Sequence, residues 1–147
     1  MAHAVFVRSP LAHATITHLD TSHAERSPGV LAVHTATTLG TDWVPSFAEV
    51  HELVGHGPLA DGLVRYVGDP VALVVAETRA QAMDAAELVD VDYDDLPAVT
   101  DVEDALADDA PLQFEAIGSN IATQRAAKDT TDVLDGADHV TRVRMVN

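Results

Sequence analysis

Residues 63–96 read LVRYVGDPVALVVAETRAQAMDAAELVDVDYDDL, and here every local signal points the same way. The apolar run 63–67 stops at Gly68-Asp69-Pro70. There a residue free to turn without a Cβ clash precedes one whose ring fixes φ, so the three mark a turn between two strands. A second apolar run, 71–76, is short enough and branched enough for a buried strand. Thr78-Arg79-Ala80-Gln81 then has the Thr-x-x-Gln spacing of a capping box, which opens a helix over 78–88. Small apolar residues at Ala80, Met83 and Ala86, and at Ala82, Ala85 and Leu88, suit close packing of that helix on a sheet. Residues 89–93 alternate apolar and acidic, the period of a half-buried strand.

Upstream, 4–7 and 14–19 read as strands, the first closed by Arg8-Ser9-Pro10. Ser22-His23-Ala24-Glu25 has capping-box spacing and Pro28-Gly29 ends the helix it would open. A strand over 30–34 and a short helical turn over 35–39 follow. Residues 40–61, with two prolines and the single Trp, Trp43, read as a long excursion of the kind that is functional or touches another chain. Downstream, Thr100-Asp101-Val102-Glu103 is a third capping-box spacing, opening a short helix to about Ala107. Residues 108–118 read as loop, 120–127 as a strand, 133–136 as a turn and 140–146 as a last strand. One α+β domain fits the 147 residues.

The formal net charge of −16, with 8 basic against 24 acidic residues, argues against a nucleic-acid surface and against docking on anionic lipid. The absence of cysteine removes disulfides, thiolate metal sites and a Cys nucleophile. No apolar stretch approaches the length of a membrane span, and the N-terminus lacks signal-peptide form. A soluble, cytoplasmic protein is expected.

Four patterns invite a chemical reading and fail on spacing. His51 and His56 are five apart, turned away from each other on a helix where a shared zinc needs four. Gly55-His56-Gly57-Pro58-Leu59-Ala60 has Pro in its middle and no helix after it, unlike a dinucleotide loop. Asp90, Asp92 and Asp94 match three positions of a calcium loop, but Asp95 stands where Gly is needed and Asp101 where Glu is needed. Strand alternation accounts for them as one solvated face. His13, His18 and His23 repeat every five residues, which puts the first two on opposite faces of a strand. No catalytic, cofactor-binding or metal-binding constellation emerges from the residues alone.

Taken together, FVRSPLAHATITHLDTS (6–22), PGVLAV (28–33) and PLADGLVRYVGDPVALVVAETRAQAMDAAELVDVDYDDLPAVTDVEDAL (58–106) resemble, in order, the α/β hammerhead domain of molybdenum hydroxylase large subunits. These are enzymes of the xanthine dehydrogenase, aldehyde oxidase and carbon monoxide dehydrogenase type. The resemblance implies a hammerhead domain over 1–127, with a mixed sheet around the strand 71–76 and the helix from Thr78. It implies that 128–147, with Asp135-Gly136-Ala137-Asp138-His139-Val140, leads into a molybdopterin-binding domain expected to lie outside a truncated chain. The implied role is structural and non-catalytic. Molybdopterin with molybdenum, and the iron–sulfur clusters and FAD of partner domains or subunits, belong to the assembled oxidoreductase and not to this chain. Arg8, Arg65, Tyr66, Gly68, Asp69 and Pro70 are then candidates for an interface with the catalytic domain. The alternative from another class is an independent acidic binding module, for a cation or a basic partner, with no redox role.

Overall fold

The computed structural model describes residues 1–40, 54–55, 57–123, 135–141 and 143. The block 63–96 folds as its pattern predicts, with one shortening. Strand β4 holds only Leu63–Val64, because the chain turns at once through 65–69. Strand β5 spans Pro70–Ala76, helix α3 Arg79–Ala86 and strand β6 Asp90–Asp95. Before them come β1 (His3–Arg8), β2 (Ala14–Asp20), α1 (Ser22–Glu25), β3 (Val30–Thr35) and α2 (Ala36–Leu39).

The α+β architecture is as expected, and the strands divide between two three-stranded sheets, ordered β1-β5-β3 and β4-β2-β6. All described pairings are antiparallel. β5 is the central strand of the first sheet, which is why it is the most apolar and the most buried: Val71, Ala72, Val74 and Ala76 are fully buried.

Register decides which face each residue serves. Val5 and Val33 both pair with Val74, and Val7 and Thr35 with Ala72. That face receives α3, whose Ala85 joins Val74 and Ala24 in one core cluster. Burial of Val74 contributes about 1.5–3 kcal/mol. Small residues on α3 let it lie close; Ala82 and Ala85 are buried, whereas Met83 and Leu88 remain exposed. The other face carries Ala4 and Phe6 beside Val75 and Leu73, with His34 in the same row. A second cluster, Ala14, Ala60, Val64 and Val71, ties the two sheets together. Leu59 is also fully buried, so the end of the 40–61 excursion is core.

Capping shows where spacing alone misleads. The Thr78–Gln81 box forms as read, Thr78 Oγ1 accepting from Gln81 N–H (3.3 Å) and Gln81 Oε1 from Thr78 N–H (3.0 Å). The Ser22–Glu25 box does not form. Ser22 is already inside α1, and the upstream Asp20 carboxylate takes its N–H (2.8 Å) and Oγ (3.1 Å). The Thr100–Glu103 box fails similarly: Asp101 Oδ1 accepts from the amides of Glu103 and Asp104, and only a 3₁₀ turn, Asp104–Leu106, follows. A box not read from the sequence, Thr35–Thr38, opens α2. Residues 120–123 are not a strand, because Asn120 spends its side chain bridging a loop; 124–127 lie outside the described residues. Nor are 140, 141 and 143 in a strand, and the rest of 140–146 lies outside.

Candidate functional site

The corner where β1 ends and β5 begins gathers the residues singled out by the family resemblance. Gly68 has φ +94°, a left-handed value that disfavours any side chain. Pro70 starts β5, where its missing N–H costs no ladder bond. Two backbone bonds lock this turn to the end of β1, Ser9 N–H to Asp69 O (2.9 Å) and Gly68 N–H to Ser9 O (2.8 Å), and a third, Asp69 N–H to Tyr66 O (3.1 Å), closes the turn itself. Arg8 adds a fourth tie, its guanidinium donating to Gly68 O at 2.8 Å and lying over the Phe6 ring at 5.2 Å. Its hydrogen bond thus goes to a carbonyl, not to a carboxylate.

Asp69 is buried, and its carboxylate accepts the Arg65 N–H at 2.9 Å. Tyr66 and Tyr93 both sit near it. Burial, then the Asp69 charge and a hydrogen bond to it, push the Tyr66 hydroxyl above its ordinary value, which Arg8 partly offsets. Burial also pushes Tyr93 up; a hydrogen bond with Ser9 partly offsets this, and Asp69 adds to it.

Arg65 leaves the corner in a different direction. Its guanidinium stacks on Phe114 at 4.6 Å, and its carbonyl accepts from Gln113 Nε2. Arg65 Nε is buried and has no hydrogen-bond partner among the described residues. It borders a pocket of about 280 Å³ walled by Phe114, Val99, Ala105 and Ile117. Asn120 holds this wall together, donating to Ala105 O (3.1 Å) and Pro111 O (2.9 Å) and accepting from Gln113 N–H (2.9 Å).

Arg8, Arg65, Tyr66, Gly68, Asp69 and Pro70 are therefore brought into one corner. Sequence reading missed Phe114, Gln113 and Asn120, since nothing local ties a loop to a residue some fifty positions earlier. The one available signal was Phe114 itself, one of three Phe in an aromatic-poor chain. The Asp row behaves as strand alternation requires: Asp90, Asp92 and Asp94 are exposed while Val91 and Tyr93 are partly buried. His13 is buried and hydrogen-bonded through Nδ1 to Pro97 O (2.9 Å), whereas His18 and His23 are exposed. His51 and His56 lie outside the described residues. Among the described residues no three His, Asp or Glu side chains group so as to hold a metal ion. No described helix is long and apolar enough to cross a membrane.

Comparison with known proteins gives this arrangement a context. A family profile described as aldehyde oxidase and xanthine dehydrogenase, a/b hammerhead domain, matches residues 1–97. The nicotine 6-hydroxylase large subunit of Paenarthrobacter nicotinovorans is 39% identical over 145 residues, 94% of this chain and 18% of that one. The carbon monoxide dehydrogenase large chain of Afipia carboxidovorans is 42% identical over 126 residues, 84% of this chain and 15% of that one. Among solved structures, quinoline 2-oxidoreductase from Pseudomonas putida 86 superposes with a TM-score of 0.81 at 32% identity, over 97% of this chain and 19% of that one. The chain thus spans less than a fifth of the length of these relatives.

Proposed function

This chain belongs to the aldehyde oxidase and xanthine dehydrogenase family of a/b hammerhead domains, and from that premise we propose that it is a structural, non-catalytic part of a molybdenum-dependent oxidoreductase. It packs on a separate molybdopterin-binding domain and depends on it for activity. The observation that carries this reading is the first sheet. One face is covered by α3, while the other presents Phe6, Leu73 and Val75, with Phe6 43% exposed and Arg8 laid across it. That row contains no carboxylate, in a chain with 24 acidic residues. Such a face suits contact with a larger apolar body rather than with water.

On this reading residues 1–127 form the hammerhead domain and 128–147 lead into the catalytic part. The corner of Arg8, Arg65, Tyr66, Gly68, Asp69 and Pro70 lies at the interface. Molybdopterin with molybdenum belongs to the assembled enzyme, with iron–sulfur and FAD subunits as further partners. On this reading the chain frames and supports the catalytic domain. The reaction class of the assembly is hydroxylation of an aldehyde, purine or related compound, or oxidation of carbon monoxide. A cytoplasmic location accords with that chemistry.

The test is reconstitution. The chain and the molybdopterin-binding portion of its large subunit are produced separately, and metal content and substrate oxidation are measured apart and together. We expect molybdenum on the catalytic portion alone and turnover that needs both. Stoichiometric molybdenum on the isolated chain, or full turnover without it, overturns the proposal.

A further inference from the structure

We propose that Arg65 is a receptor for one carboxylate side chain presented by the molybdopterin-binding portion, received in the pocket beside Phe114. This rests on the docking reading above and names the chemistry of the contact. The pocket, about 280 Å³, falls just below the size of sites that enclose a whole ligand, and suits a single inserted group. Its wall of Val99, Ala105, Ile117 and Phe114 is apolar, so a charge interaction inside it is weakly screened. No described lining residue is acidic. The polar neighbours are already committed: Asn120 bridges the loop, and Gln113 donates to the Arg65 carbonyl.

What lacks a partner among the described residues is the guanidinium Nε. Phe114 holds the guanidinium plane at 4.6 Å, and Nε is buried. A guanidinium offers donors in a fixed fork that matches the two oxygens of a carboxylate. Among the described residues, none of the acidic groups lines the pocket. In so acidic a protein most of the surface repels a carboxylate. This cation offers such a group a place to land, and so helps to set the register of docking.

The experiment measures affinity between the full chain and the molybdopterin-binding portion of its large subunit, at two salt concentrations. Arg65→Met removes the fork; Arg79→Met, at the start of α3, makes the same charge change elsewhere. Arg65→Met is expected to weaken docking by about 10- to 100-fold and to flatten its salt dependence. Arg79→Met is expected to stay within about twofold, and Arg65→Lys to recover only part of the loss. On the unmutated chain, the Arg65 Nε–H resonance should move when the partner binds, a readout that needs no variant to fold. Tight wild-type docking with Arg65→Met unchanged, or with that resonance unmoved, overturns this inference alone. No wild-type docking overturns the docking reading and this inference together. If benzoate moves the resonance without competing against docking, the occupant is a free acid and the proposal fails.

Discussion

The Asp69 carboxylate accepts the main-chain N–H of Arg65 at 2.9 Å, closing the turn 65–69 from within. Asp69 is 4% exposed, so this bond replaces water for both groups. The same turn carries Gly68, to which Arg8 is tied, and presents Arg65 to Phe114. A single buried acid therefore shapes both halves of the corner.

Asp69→Ala removes that acceptor and leaves a partly buried N–H unpaired. The expected loss is about 1–3 kcal/mol, read as a lower urea midpoint with unchanged slope. Asp69→Asn keeps an acceptor oxygen and should lose less. Equal losses for both would place the role of Asp69 in its charge instead of this bond.

The two tyrosines of the chain, Tyr66 and Tyr93, both titrate above their ordinary value of 10.0. Folding favours their neutral hydroxyls. Their contribution to stability is therefore complete below pH 10 and drains away as pH rises through the higher folded values. The phenolate absorbance midpoint of both tyrosines in the native chain should lie above 10, and Asp69→Ala should lower that of Tyr66. A native midpoint at or below 10 would contradict the partial burial of Tyr93 or, for the 43% exposed Tyr66, the Asp69 carboxylate beside it.

Gly29 has φ +79°, and a Cβ there would fall on the side-chain amide of Gln81, 2.6 Å from its Oε1. That amide is half of the cap on α3. Gly29→Ala should cost about 2–3 kcal/mol, part left-handed strain and part lost cap. Combined with Gln81→Ala, the loss should be smaller than the sum of the two, because both remove the same cap. Strict additivity in thermal melts would disconnect the turn from the helix.

The Asp90, Asp92 and Asp94 row bears on the rival reading as an acidic binding module. Its side chains share an exposed strand face and form no metal group with other described residues. Millimolar calcium should shift the melting temperature no more than an equal ionic strength of sodium chloride. A specific calcium shift, lost in Asp92→Asn, would favour the rival.

The parts of this fold legible in the sequence are those set by short-range physics. Alternation placed β6 and its Asp row, an uninterrupted branched run placed β5, and Thr78 with Gln81 placed the start of α3. Where two side chains compete for one amide, spacing was not enough: Asp20 takes the Ser22 amide that Glu25 would have capped, and Asp101 takes the Glu103 amide in place of Thr100 before the 3₁₀ turn. Long-range assembly left little trace. That Val71 belongs to the same core as Ala60, or that Arg65 meets Phe114, depends on tertiary closure over many residues. The corner residues were named through family resemblance. What they do there, an arginine on a carbonyl and a carboxylate under a turn, came only from geometry.

On the proposed reading this chain docks through the Arg8 and Arg65 corner on a molybdopterin-binding body. The most direct measurement is co-purification of the tagged chain with that portion of its large subunit, wild type against Arg8→Glu/Arg65→Glu, at matched folding by circular dichroism. A stoichiometric complex is expected for wild type, and its loss on double charge reversal. Undiminished assembly of the reversed chain would contradict it.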